Sequence, residues 1–168
     1  NTKLNSDNSD VISEYSDRFQ ILEHTADNKI KVPGKTMEEL YKNAVWAMAS
    51  ILTKNLKLKT QNKKLKEIIT VKSIDREVLL ADFLNDILGE SHINLAVYPE
   101  AKFIDYHPEG VQRTAYLKAE ISGYPIERLD EDIKAVTYHD LSIRENSRKD
   151  NQNSRKFANW EATILFDV

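Results

Sequence analysis

RTAYLKAEISG, residues 113–123, alternates with the period of a β-strand. Ala115, Leu117, Ala119 and Ile121 fall on one side and Tyr116, Lys118 and Glu120 on the other. This is the pattern of a strand with one face on a core and one in water. Working outward, IKAVTYHDLSIR (residues 133–144) reads as a further strand or bent pair, and residues 157–167 as a last strand with Trp160, Ala162, Ile164 and Phe166 on one face. Upstream, residues 95–106 are extended, and Pro99 marks an edge or a bulge there. Residues 65–72 form another strand, and residues 18–33 two more around the EHTAD segment, ended by Pro33-Gly34.

Two stretches break this period. From Thr36, Leu40, Ala44, Ala47, Met48, Ile51 and Leu52 recur at helical spacing, and Thr36 with Glu39 forms a capping box. From Asp75, itself a capping residue type, Val78, Leu79, Leu80, Phe83, Leu84, Ile87 and Leu88 make a broad apolar stripe that Gly89 is positioned to end. The spacing predicts helices over residues 36–53 and 75–90, packed on a common sheet. Two helices among about seven strands, unevenly distributed, make the fold class α+β, two helices on a mixed or antiparallel β-sheet. Residues 1–17 are polar and read as a loosely ordered tail, leaving residues 18–168 as a single domain. Residues 54–64 and 145–156 read as polar loops.

Composition removes several functions. The 168 residues carry 24 Lys plus Arg against 27 Asp plus Glu, a net charge of −3, so no global basic field grips nucleic acid and any RNA contact is local or goes through a partner. No cysteine is present, which excludes disulfides, thiolate zinc sites and a cysteine nucleophile and fits a cytoplasmic, reducing location. None of the four glycines forms a dinucleotide or phosphate-loop motif. No apolar run is long enough to span a membrane.

The groups with chemistry to offer are few. His24 and Asp27 stand in EHTAD, at a strand end. Asp167 precedes Val168, and an α-carboxylate on Val168 would set a second anion beside it. Oxygen donors of this kind suit a hard cation such as Ca²⁺ or Mg²⁺. Equally, Asp27 reads as a turn residue and Asp167 as a solvated strand end. Lys134 interrupts an apolar segment, where alternation puts it on one face with Val136. It is either a phosphate-binding or charge-offsetting cation or a lysine whose stem packs on the sheet. His139 with Asp140 has the chemistry of a dyad but no nucleophile to serve. His92 and His107 carry no pattern, and Trp46 and Trp160 read as core.

Taken in order, four segments resemble the archease family. EHTADNKIKVPGKTMEELYKNAVWAM (residues 23–48) is similar to its amino-terminal motif, in which DHTAD is followed by a short strand, a Gly and a helix opening S/T-x-E-E. Glu23 stands here where the family usually has Asp. DREVLLADFLNDIL (75–88) resembles its second helix, IKAVTYHDLSI (133–143) its K-A-V/I-T-Y-H segment, and ATILFDV (162–168) its final strand. The resemblance implies a small α+β accessory protein of the RtcB-type RNA ligase. Such a protein promotes GTP-dependent guanylylation and multiple turnover of the ligase in tRNA splicing, and meets tRNA only through the ligase. It implies a divalent-cation site, usually calcium, with Mg²⁺ or Mn²⁺ as alternatives, held by Asp27, Asp167 and Val168. It also implies a functional role for Lys134, with His24 and His139 as further partner-facing residues. The competing readings are a stand-alone metal-dependent hydrolase acting on nucleotides, and a small RNA-binding module using the basic loop 57–66.

Overall fold

A computed structural model describes residues 18–22, 28–56, 64–145 and 159–168. The tail 1–17, the EHTAD residues 23–27, and most of the loops 54–64 and 145–156 lie outside the described residues.

The order is β1 (Gln20–Leu22), β2 (Asn28–Gly34), α1 (Met37–Leu52), β3 (Leu65–Ser73), α2 (Arg76–Asn94), β4 (Ala96–Val111), β5 (Thr114–Pro125), β6 (Ala135–Glu145) and β7 (Trp160–Asp167). The strands form two sheets rather than the single common sheet expected. One is β1-β2-β7-β6, the other β3-β5-β4, and every pairing in both is antiparallel. Alternation identifies a strand but not its partner, so the division lies beyond what periodicity encodes. Each helix touches both sheets, and together they fill the space between them.

α1 starts where its capping residue places it: the Thr36 hydroxyl accepts the Glu39 backbone N–H at 3.1 Å. Leu40, Ala44, Ala47, Met48 and Leu52 are all buried, as their spacing requires. Asp75 caps α2 in the same way, its Oδ1 accepting the Val78 N–H at 2.8 Å. α2 does not stop at Gly89. It continues to Asn94, and Leu95, with φ of 47°, supplies the left-handed residue that closes it. A glycine inside a helix costs only about 1 kcal/mol, and burial of Leu79, Leu80, Phe83, Leu84, Ile87 and Leu88 outweighs this at roughly 1.5–3 kcal/mol for each large side chain.

β5 carries the pattern that its sequence promises, with Ala115, Leu117, Ala119 and Ile121 at 0–1% exposure. It joins β4 through Gln112-Arg113, both at positive φ (53° and 67°), the backbone of a tight two-residue hairpin. Pro99 sits in edge strand β4 at a register shift between Val97 and Glu100, so it marks both an edge and a bulge. Trp46 and Trp160 lie at the margin of the core, not inside it. Each ring lies under a guanidinium, Arg18 at 4.0 Å and Arg76 at 4.8 Å from the ring centroid. Among the described residues no helix is long and apolar enough to cross a membrane.

Candidate functional site

Three strand ends meet at one end of the four-stranded sheet. Asn28, which follows Asp27 in sequence, pairs with Phe166, and Ala135 pairs with Asp167. The Lys134 N–H donates to the Asp167 carbonyl at 2.7 Å. The start of β2, the start of β6 and the end of β7 are therefore adjacent. Val168 packs its side chain against the core just beyond Asp167.

The segment leading into β6 is fastened along α2 by three polar side chains. His92 Nε2 lies 3.0 Å from the Ile133 carbonyl, the contact of a ring N–H that donates. Asn85 grips Val136 at both backbone groups: Nδ2 donates to its carbonyl at 2.9 Å, and Oδ1 accepts its N–H at 2.8 Å. The Tyr138 hydroxyl donates to Asp82 Oδ1, whose other oxygen accepts from the Ser73 hydroxyl at 2.6 Å. Asp82, Asn85 and His92 share one helical face by their spacing. β6 is an edge strand, so its outward N–H and C=O groups need partners. α2 supplies them at Val136. Sequence reading treated α2 only as an apolar stripe and missed these three. Their signal was a set of polar residues at helical spacing inside that stripe.

This fastening corrects the reading of Lys134. β6 begins at Ala135, and Ile133 and Val136 are both buried while Lys134 is exposed. Lys134 therefore does not share a face with Val136, because alternation starts only after it. Its backbone is fixed on both sides, by His92 at Ile133 and by Asn85 at Val136, and its own N–H by Asp167. Among the described residues no ion pair joins Lys134 to Asp167 within 4.0 Å, so their adjacency is one of backbone.

β6 then breaks register between Thr137 and Ser142, where Asp140 takes φ of 56°. His139 lies in this irregular stretch, with Nε2 3.5 Å from Asp140 Oδ2 and both side chains exposed. Asp140 also meets Lys29 of β2 at 3.9 Å. The pair is thus a solvated surface contact. His92 belongs to the last turn of α2 and His107 to β4, where Asp105 holds it at 2.6 Å.

The α2 surface beside the segment is strongly anionic. Burial, then the neighbouring Asp82 and Glu90 charges, raise the Asp86 carboxyl from its ordinary value. The Asp82 carboxylate, as hydrogen-bond acceptor, raises the Tyr138 hydroxyl in the same way.

Asp167 offers an exposed hard-oxygen carboxylate, and Val168 a carbonyl next to it. That donor chemistry suits Ca²⁺ or Mg²⁺. Among the described residues no group of three or more His, Cys, Asp or Glu could hold a metal, so Asp167 alone is a partial set. His24 and Asp27 lie outside the described residues.

The chain matches the Archease protein family (MTH1598/TM1083) over residues 19–168. It is 28% identical over 159 residues to the protein archease of Methanosarcina barkeri, covering 94% of this chain and 100% of that one. The protein archease of Pyrococcus abyssi is 31% identical over 133 residues, covering 75% and 87% respectively. Among solved structures, Methanobacterium thermoautotrophicum protein 1598 superposes with a TM-score of 0.67 at 21% identity, over 90% of this chain and 99% of that one. An archease from Thermotoga maritima, described as a possible chaperone, does so with a TM-score of 0.55 at 19% identity, over 88% and 94%. These neighbours share the two-helix, two-sheet fold. By the family match across nearly all of its length, the chain belongs to the archease family.

Proposed function

We propose that this protein is an accessory activator of an RtcB-type RNA ligase, promoting its GTP-dependent guanylylation and multiple turnover rather than joining RNA itself. Asp27, Asp167 and Val168 would hold a divalent cation, Ca²⁺ with Mg²⁺ or Mn²⁺ as alternatives, and Lys134 would face the partner beside them. The bound cation would supply a Lewis-acidic centre for nucleotidyl transfer.

The observation that carries this reading is the meeting of β2, β6 and β7 at Asn28, Lys134 and Asp167. Three segments far apart in sequence, each bearing one piece of the family pattern, end within one backbone hydrogen bond or one pairing step of each other. Lys134 leaves this point from a backbone fixed on three sides, so its ammonium starts from a defined position. A lysine on a mobile backbone would lose more backbone entropy on docking.

The test is multiple turnover of purified ligase, with GTP and RNA halves, when this protein is limiting. Lys134→Ala should lose most of the activation while shifting unfolding by about 1 kcal/mol or less, the contribution of an exposed charge. Lys134→Arg should recover part of it, because a planar fork replaces a point charge poorly. Asp167→Asn should weaken Ca²⁺ binding by calorimetry in the absence of ligase. Full activation by Lys134→Ala, or unchanged Ca²⁺ binding by Asp167→Asn, would overturn the corresponding assignment.

A further inference from the structure

The second sheet has one face on the helices and one face open. β5 turns Ala115, Leu117 and Ala119 inward and so turns Tyr116 and Lys118 outward. β3 turns out Lys66, Ile68, Thr70 and Lys72; β4 turns out Lys102, Ile104, Asp105 and His107. Register sets these residues in rows. Lys72, Tyr116 and His107 form one row across the three strands, and Thr70, Lys118 and Asp105 the next.

At the first row Tyr116 stands between His107 and Lys72. The His107 ring lies 6.2 Å from it, centroid to centroid, at 21°. Lys72 Nζ lies 5.9 Å from its centroid on the other side. Asp105 holds His107 at 2.6 Å and fixes the imidazole plane. A shallow groove here is lined by Thr70, Lys72, Asp105, His107, Thr114 and Tyr116. Two of the carboxylates on this face already have partners: Glu120 meets Lys66 at 3.8 Å, and Asp105 meets His107. Among the described residues, no carboxylate lies within 4.0 Å of Lys72, Lys102 or Lys118. Glu100 lies at the far end of the sheet, opposite Ser122.

We infer that this open face binds a short stretch of single-stranded RNA, with a base joining the Tyr116–His107 stack and the adjoining phosphates on Lys72 and Lys118. Any base offers a π-face to an aromatic platform, and lysines on either side track the backbone. The chain is acidic overall, so the attraction is local to this face, where four lysines stand against Glu100, Asp105 and Glu120 and only Lys66 is ion-paired among the described residues. Thr70 and Thr114 line the groove with hydroxyls that suit a ribose 2′-OH, which favours RNA over DNA. Exposed Ile68 and Ile104, at 52% and 54%, add apolar surface for neighbouring sugars and bases. This face is separate from the Lys134 and Asp167 end and does not depend on the ligase reading.

The experiment is fluorescence anisotropy of the full chain with a labelled eight-nucleotide oligouridylate at low salt, without ligase. Competitors are the matching oligothymidylate, an RNA duplex and an oligoglutamate peptide. The single strand of RNA should bind more tightly than all three, with log K falling against log salt at a slope of about −1.4 for two phosphate contacts. Tyr116→Ala should weaken binding about tenfold, and Tyr116→Phe should restore it. Lys72→Glu should weaken binding about tenfold or more and flatten the salt slope. Photo-crosslinking of the wild-type chain should label the β5 peptide containing Tyr116, which keeps the inference open to refutation if a variant fails to fold. Wild-type affinity in Tyr116→Ala, a crosslink confined to other segments, or tighter binding of the duplex or the acidic peptide would overturn it.

Discussion

Replacing Asn85 with alanine isolates the contact that holds β6 on α2. The side chain makes two hydrogen bonds to one residue, 2.9 Å to the Val136 carbonyl and 2.8 Å from its N–H. Each contributes about 1 kcal/mol net, and the variant leaves both Val136 groups at a sheet edge with no protein partner. The expected loss is therefore about 2 kcal/mol, or a fall in Tm of roughly 4–8 °C for a chain of this size. Thermal unfolding followed by circular dichroism measures the total. Amide exchange locates it: the Val136 N–H should exchange about 30-fold faster where its protection comes from local opening, since 2 kcal/mol is that factor. The Lys134 N–H bonds instead to the Asp167 carbonyl and should change only with global stability. Asn85→Asp keeps the acceptor for the Val136 N–H but loses the donor and adds a charge near Asp82 and Asp86. It should be at least as destabilising at neutral pH. A Tm within 1 °C of wild type, with Val136 exchange unchanged, would refute the claim that Asn85 completes this edge.

Two further outcomes follow from local geometry. A Cβ on Gly123 would lie 1.8 Å from the Val97 carbonyl oxygen and 2.7 Å from its carbon, both backbone atoms, so Gly123→Ala must push β4 from β5 at the bulge. It should cost about 3 kcal/mol and roughly 6–12 °C in Tm by calorimetry, and a shift below 2 °C would contradict the packing. Burial and then Asp82 and Glu90 disfavour the Asp86 charge and raise its carboxyl from the ordinary value. A raised folded-state pKa contributes stability in acid that is lost as pH rises through that value. Asp86→Asn should therefore unfold at a slightly higher temperature than wild type at pH 7, by about 1 kcal/mol or less, with the gap closing toward pH 4. A gap that widened in acid would reverse the assignment.

Legibility in this sequence follows the range of the interaction. Local patterns were readable: the alternation of β5, the caps Thr36 and Asp75, and the apolar stripes of both helices all describe the structure. Partner choice was not, because β3 and β5 lie side by side while 50 residues separate their midpoints, including α2 and β4, and nothing in alternation says so. The β4–β5 hairpin was hidden for a different reason. Its turn is Gln112-Arg113 rather than the Asn-Gly or Asp-Gly that announces positive φ in sequence. Asp167 and Lys134 stood out in the sequence, but their adjacency is a product of pairing. It needs β6 beside β7, and β6 is an edge strand whose outward groups would be open to solvent or another chain.

The polar residues of α2 answer that need, and this explains their presence on a helix buried against two sheets. Apolar side chains at positions 82, 85 and 92 would bury more area but leave Ile133, Val136 and Tyr138 without their present partners. α2 gives up that hydrophobic contact at three positions of one face and gains a fixed edge. The consequence falls on Lys134, which lies between the residues held by His92 and Asn85. The exposed cation is thus presented by a framework of half-buried hydrogen bonds, and its placement is encoded about 40–50 residues upstream, in the spacing of a histidine, an asparagine and an aspartate on one helix.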